Sequence, residues 1–425
     1  MPISAKAKRI LTPLNAIILA AIVLVLVLIG ALAKRGAFVG ITHSFWLPWV
    51  VLAIAIVLTL LIIFVGLPWY RERQFVRQLG SGYRIAGQQS PQELQAKFSS
   101  GFRAYCTLPQ HAGKGEPSYA LPWFLLIGAG QSGKTEAVKT AGTFSSLTTA
   151  RDGATQNFDF WVSNSVLLLD TAGRYAIASD IERDRAEWYR LLRLIKHYHG
   201  REPINGIVIA VGADHLVAQS DETLRADAAQ QRERIEDAIK VLALSVPVYV
   251  LVTKCDVLDG FDEFTAALPA RVLNEAVGFI DEPITARGPS RGHEQFMRLQ
   301  SGLESMYEQL RNRGIAVLNG KAAESLRRPL FCFPEEFRLL AARLGTFLEV
   351  LSGEDVRYHT PLLRGVFLSA ARQQELRLSL LRTQLGITSS PPSATSKPTT
   401  HCFLRDVFDV ILPRDRGLAS GSKVA

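Results

Sequence analysis

The sequence predicts an α/β domain, a mostly parallel sheet with helices on both faces, preceded by a two-helix transmembrane hairpin and followed by a helical subdomain. Three observations carry this. Two long apolar stretches lie within the first 70 residues. Four short apolar runs, β-branched or leucine-rich, follow at 123–127, 166–169, 207–211 and 246–252, and amphipathic stretches such as 181–199 and 223–243 separate them. Unbroken apolar runs suit strands buried on both faces, and parallel neighbours need helical crossovers between them.

The hairpin occupies residues 1–70. Residues 14–33 carry no charge and one polar side chain, Asn15, and at about 1.5 Å per residue such a stretch crosses a hydrocarbon core of ~30 Å. Residues 49–67 repeat the pattern. The first stretch is too long for a cleaved leader and a second follows after a short loop, so both are read as spans in the lipid bilayer. Lys6, Lys8 and Arg9 precede the first, Arg71, Arg73 and Arg77 follow the second, and the loop holds Lys34 and Arg35. That bias places both ends in the cytoplasm. It also accounts for +7 of the formal net charge of +9, because these eight basic residues face a single acid, Glu72, within residues 1–80. A nucleic-acid-binding surface is therefore not indicated. The four cysteines, Cys106, Cys255, Cys332 and Cys402, are too scattered for a metal motif or a disulfide framework and suit a reducing cytosol.

Past the membrane the chain divides by composition. A polar, partly helical juxtamembrane linker spans 71–118, with Ser90-Pro91 and Glu93 as a helix start. The strand-rich core spans 119–256. A helical part follows over 257–328, with helices expected at 261–278 and 294–313, and the apolar runs at 330–333 and 362–368 return the chain to the core over 329–385. Residues 386–402 are a Ser/Thr/Pro linker. In the tail, 403–425, Phe403, Leu404, Val407, Phe408, Ile411 and Leu412 would form one apolar helical face that packs on the domain or a partner without inserting.

The chemistry begins at Gly128-Ala129-Gly130-Gln131-Ser132-Gly133-Lys134-Thr135, a G-x-x-x-x-G-K-T octet between an apolar run and a helix-compatible stretch. Phosphates held at a helix N-terminus need inward backbone N–H groups, and glycines allow the tight bend. Lys134 would reach the β- and γ-phosphates, and the Thr135 hydroxyl would coordinate Mg²⁺. The core is accordingly read as a P-loop NTPase of GTPase-like type.

Two further elements end apolar runs. In Asp170-Thr171-Ala172-Gly173, Asp170 stands where a P-loop protein places its second Mg²⁺ ligand, and Gly173 would offer a backbone N–H to the γ-phosphate; Lys134, Asp170 and Gly173 are the catalytic candidates. In Thr253-Lys254-Cys255-Asp256, the Asp256 carboxylate would accept two hydrogen bonds from guanine while the Lys254 stem packs on the base. Thr253 replaces the commoner asparagine, so GTP and ATP both stand as the nucleotide. Between the first two elements Thr148, Thr149 and Thr155 are alternative second hydroxyl ligands, ahead of an aromatic run at 158–161 read as a strand edge. Arg174 follows Gly173 where a water-orienting glutamine is common; it would stabilise γ-phosphate charge or pair with an acid such as Asp180 or Glu182, the second being the default.

These residues resemble the IcmF/TssM inner-membrane proteins of bacterial type VI secretion systems. The likeness rests on the hairpin, Leu121-Pro122-Trp123 leading into the octet, Asp170-Thr171-Ala172-Gly173-Arg174-Tyr175, Pro203-Ile204-Asn205-Gly206, Thr253-Lys254-Cys255-Asp256 with Gly260-Phe261 and Phe264, Phe331-Cys332-Phe333-Pro334 and Leu363-Arg364-Gly365. The resemblance implies a nucleotide-binding membrane scaffold with a cytoplasmic NTPase-like domain, slow in turnover or purely structural. Its implied partners are a TssL/DotU-like inner-membrane protein, cytoplasmic baseplate proteins and further copies of itself. The family's third span is not found after Leu418, so a truncated or split member is expected, unable to reach a periplasmic lipoprotein.

Overall fold

The apolar runs at 123–127, 166–169, 207–211, 246–252 and 362–368 fold as strands, and each ends within two residues of its expected bound. The computed structural model describes residues 91–109, 116–148, 155–178, 180–281, 292–319, 324–353, 361–371, 377–387 and 401–421, all within one unit, Arg84–Ala425. Helix α1 (Pro91–Cys106) precedes β1 (Trp123–Gly128), which runs into α2 (Lys134–Thr140). The chain continues through β2 (Ser145–Ser146), β3 (Phe158–Val162), β4 (Leu167–Thr171), α3 (Gly173–Ala176), α4 (Ile181–Tyr198) and β5 (Gly206–Gly212). Then come α5 (Ala213–Ala218), α6 (Asp221–Leu242), β6 (Leu244–Ser245), β7 (Pro247–Thr253), α7 (Phe261–Ala266) and β8 (Val277–Ile280). The long helices α8 (Gly292–Leu318) and α9 (Glu324–Ser352) precede β9 (Leu362–Leu368), β10 (Ala370–Ala371), α10 (Leu380–Gln384), β11 (His401–Cys402), a π-helical turn (Val407–Ile411), α11 (Leu412–Arg414) and β12 (Ser420–Gly421).

Eight strands form one sheet in the order β2-β3-β4-β1-β5-β7-β9-β8. The inner five, β4, β1, β5, β7 and β9, are parallel, and the outer pairings are antiparallel. Alternation along each strand sorts the core into two layers. On one face Trp123, Leu125 and Ile127 join Leu94, Phe98, Trp188, Ile235, Leu303, Phe337 and Leu348 from α1, α4, α6, α8 and α9. On the other, Phe124 and Leu126 meet Ala137 and Val138 of α2 and Leu404, Val407, Phe408 and Leu412 of the tail. Two helix starts carry side-chain caps: Asp180 accepts from Arg183 N at α4, and Ser220 accepts from Thr223 N at α6.

Three expectations are corrected. Residues 261–278 are helical only over α7, because Pro269 stops the helix and the chain turns to enter β8. There Gly278 permits the approach to β9, since a Cβ would stand 2.2 Å from Val366 O. The run at 330–333 is not a strand but part of α9, which continues through Pro329 and Pro334. Its buried Leu330, Phe333, Phe337, Leu340, Leu344, Phe347, Leu348 and Leu351 keep helical spacing against the sheet. The boundary at 328/329 thus falls inside one helix, and α8 and α9 share the sheet's core instead of standing apart as a subdomain. The spans at 14–33 and 49–67 and linker residues 388–400 lie outside the described residues; among the described residues no helix is long and apolar enough to cross a membrane.

Candidate functional site

Parallel strands bring their carboxyl ends to one edge, and the motif residues gather there because each ends a strand. Register pairs Leu126 with Asp170, Gly128 with Ala210, Gly212 with Thr253 and Val252 with Leu368. At Gly128 a Cβ would stand 2.4 Å from Ala210 O, so only glycine lets β1 turn this close to β5. Gly133 adopts φ +75° as it opens α2. Ala129, Gly130 and Gln131 form the rim of the loop, with Gln131 at φ 61°.

Lys134 is buried and its Nζ donates to Ala129 O at 3.3 Å. Burial holds its ammonium below the usual lysine range, opposed by the Asp170 charge. Thr135 Oγ1 donates to Asp170 Oδ2 at 2.5 Å, Thr155 Oγ1 donates to the same oxygen at 3.1 Å, and the two hydroxyls are 3.3 Å apart. Asp170 has no solvent exposure, and its Oδ1 has no hydrogen-bond partner among the described residues. Burial pushes its carboxyl upward, against the pull of Lys134 and the two threonines. Of the three threonines left open by the sequence, Thr155 meets Thr135 and Asp170. Thr148 turns instead to Asp159 Oδ1 at 3.1 Å, and Thr149 lies outside the described residues.

Gly173 lies against the loop so closely that a Cβ would stand 2.3 Å from Gly130 N. Arg174 points away from it. Its guanidinium donates to Glu187 Oε2 and Asn157 Oδ1, each at 2.5 Å, and to Gln156 O, and its Nε lies 3.2 Å from Asp184 Oδ1. Pairing with acids is thus what the structure displays, but with Asp184 and Glu187 in place of Asp180 or Glu182.

Thr253 Oγ1 donates to Ser132 O and, at 3.3 Å, to Val211 O, tying the loop to two strand ends. Lys254, at φ 56°, is buried and donates to Asp214 Oδ2 at 2.7 Å. Asp256 is half-buried in the short 3-10 turn Cys255–Val257. Two neighbours escaped the sequence reading. Asp214, just past β5, anchors Lys254. Ser369, just past β9, accepts from Cys255 N at 3.1 Å while its own N–H donates to Val252 O at 2.7 Å. The signal for Ser369 was present, since 362–368 is one more apolar run with a polar residue at its end.

The family model for the IcmF-related N-terminal domain matches residues 181–425, starting just past the Asp170–Gly173 element. The type VI secretion system component TssM1 of Pseudomonas aeruginosa is 31% identical over 267 residues, which is 60% of this chain and 24% of that protein. The chain thus spans about a quarter of the length of that relative. Among solved structures, an ADP-ribosylation factor-like GTP-binding protein from Encephalitozoon cuniculi in complex with GDP is 15% identical, covering 49% of this chain and 70% of that one at a TM-score of 0.23. An S. thermophilus NFeoB mutant bound to GDP is 12% identical, covering 54% and 96% at a TM-score of 0.23. With the family model covering more than half of its length, the chain belongs to the IcmF/TssM family and carries the IcmF-related N-terminal domain.

Proposed function

We propose that the chain is a nucleotide-binding scaffold of a type VI secretion membrane complex, seated in the bacterial inner membrane with its NTPase-like domain in the cytoplasm, and that it takes GTP or ATP with Mg²⁺. One observation carries the nucleotide reading: Lys134, Thr135, Thr155 and Asp170 converge at the carboxyl edge of the sheet, and Asp170 Oδ1 is buried with no bond among the described residues. A lone buried carboxylate oxygen beside two hydroxyls is a set of hard oxygen donors suited to Mg²⁺. Thr135 and Asp170 would hold the ion, which would neutralise phosphate charge. Backbone N–H groups of 130–135 would bind the phosphates with Lys134. Thr253 braces the loop in place of asparagine, which supports Asp256 as the base-reading carboxylate and GTP as the preferred nucleotide. The similarity to TssM1 supports the secretion reading, and the family resemblance supplies the TssL/DotU-like and baseplate partners.

The reading of a scaffold without turnover is favoured by Arg174. Every nitrogen of its guanidinium is committed to protein oxygens, leaving no group at this position to orient water.

Titration of the full chain with fluorescent GTP and ATP analogues tests both readings. Lys134→Ala should weaken binding at least about tenfold, because a charge-assisted hydrogen bond contributes ~1.5–3 kcal/mol. Equal binding by mutant and wild type would remove the P-loop assignment. Asp256→Asn should erase a preference for GTP, and equal GTP and ATP affinities in the wild type would make ATP the leading candidate.

A further inference from the structure

Arg174 joins α3, α4 and the segment that enters β3 through one side chain. Its fork holds Glu187 and Asp184 on α4 and reaches Gln156 O and Asn157 Oδ1 on the segment that enters β3. Asn157 returns the tie, its carbonyl accepting from Ala172 N at 2.7 Å. The residue next to this clamp is Thr155, whose hydroxyl lies on Asp170 Oδ2 and within 3.3 Å of Thr135 Oγ1. The second hydroxyl of the donor set is therefore held from behind by a cation that is itself fixed by two carboxylates.

We propose that Arg174 is a positioning residue for the metal: it presents Thr155 to the Mg²⁺ of the bound nucleotide and so sets metal affinity without touching metal or phosphate. This rests on the nucleotide reading above. An arginine suits the task because its planar fork bonds several acceptors at fixed angles, which a lysine cannot do. It also separates Arg174 from any charge-stabilising role at the γ-phosphate, since its donors face α4 and the 156–157 backbone. Partners one shell behind a metal ligand typically change metal affinity by about 10–100-fold when removed.

The test is a Mg²⁺ titration of the full-length chain with a fluorescent GTP analogue, read as the Mg²⁺ concentration for half-maximal retention, beside nucleotide affinity in EDTA. Arg174→Ala should raise the Mg²⁺ requirement about tenfold or more and leave the metal-free affinity unchanged. Thr155→Ala should likewise raise the Mg²⁺ requirement, and the double variant should need no more Mg²⁺ than either single one, since both act through one hydroxyl. Arg174→Lys should recover only part of the loss. Should Arg174→Ala fail to fold, Asn157→Ala breaks the same clamp on the 155–157 side and should give the same shift. An unchanged Mg²⁺ requirement in Arg174→Ala or Asn157→Ala, or additive losses in the double variant, overturns the proposal while leaving the P-loop reading intact. Wild-type binding that Lys134→Ala does not weaken overturns the reading, and the proposal with it.

Discussion

At Thr253 a hydroxyl holds the phosphate loop where a longer amide side chain is commoner, its Oγ1 bonded to Ser132 O and Val211 O. Thr253→Val keeps the shape and β-branching but removes the donor, leaving buried carbonyls short of a partner at a cost of ~1–3 kcal/mol. Nucleotide affinity should fall with it, and a binding titration with a melting curve separates loop loosening from global unfolding. Gly173 makes a second prediction. A methyl group there would stand 2.3 Å from Gly130 N, so Gly173→Ala should force α3 off the loop and weaken nucleotide binding about tenfold or more, while thermal stability changes by under ~2 kcal/mol. Thiol chemistry gives a third. Burial pushes Cys402 up to about 12 and Cys255 further, so neither forms thiolate near neutrality. Cys106 and Cys332 are partly exposed. Alkylation of the native protein followed by peptide mass spectrometry should label Cys106 and Cys332 long before the other two. The octet, Asp170, Gly173 and the T-K-C-D tetrad were legible in the sequence because each is a contiguous motif at the end of an apolar run. The choice of Thr155 over Thr148, the acids that hold Arg174 and the Asp214 anchor of Lys254 were not, since they depend on which segments the sheet brings together.

At the scale of elements the strands read most easily, because their burial on both faces leaves no ambiguity of pattern. Helix α9 was harder. It holds Pro329 and Pro334, yet the helix continues because the apolar face from Leu330 to Leu351 packs against the sheet, α6 and α8, and tertiary burial outweighs local propensity. The tail shows the opposite limit. Leu404, Val407, Phe408, Ile411 and Leu412 pack on one face as expected, but most of them lie in a π-helical turn followed by one turn of α-helix. Phe403, at φ 67°, leaves that face to pack near Phe261. Phe408 fills the space beside α2 and meets Phe144 edge-on at 5.2 Å. Phe408→Ala should cost ~3–5 kcal/mol by cavity formation, measured by urea unfolding, and should loosen α2 enough to weaken nucleotide binding.

Across the whole molecule the segment 401–421 ties distant parts of the sheet together. Its β11 pairs with β10 beside the T-K-C-D turn, its middle covers the face under α2, and its β12 pairs with β6. Asp415 accepts from Tyr249 Oη at 2.7 Å and from Arg364 at 2.8 and 3.2 Å, all buried. Asp415→Ala would remove the buried carboxylate that neutralises the Arg364 guanidinium and should destabilise the domain by ~3–5 kcal/mol, visible as a lowered urea midpoint. Arg416 holds Glu202 at 2.9 Å and the Tyr119 carbonyl at 3.0 Å. Seen mechanically, these bonds act in series. Tension applied to the chain beyond Gly421 would first meet the two-residue pairing of β12 with β6, then the Arg416 and Asp415 anchors, and only after those gave way would it pull on the apolar layer beneath α2. In that order of bonds the tail would act as a graded fuse: small loads would be absorbed at the edge of the sheet, and only loads large enough to break the Asp415 anchor would reach the helix that carries Lys134 and Thr135.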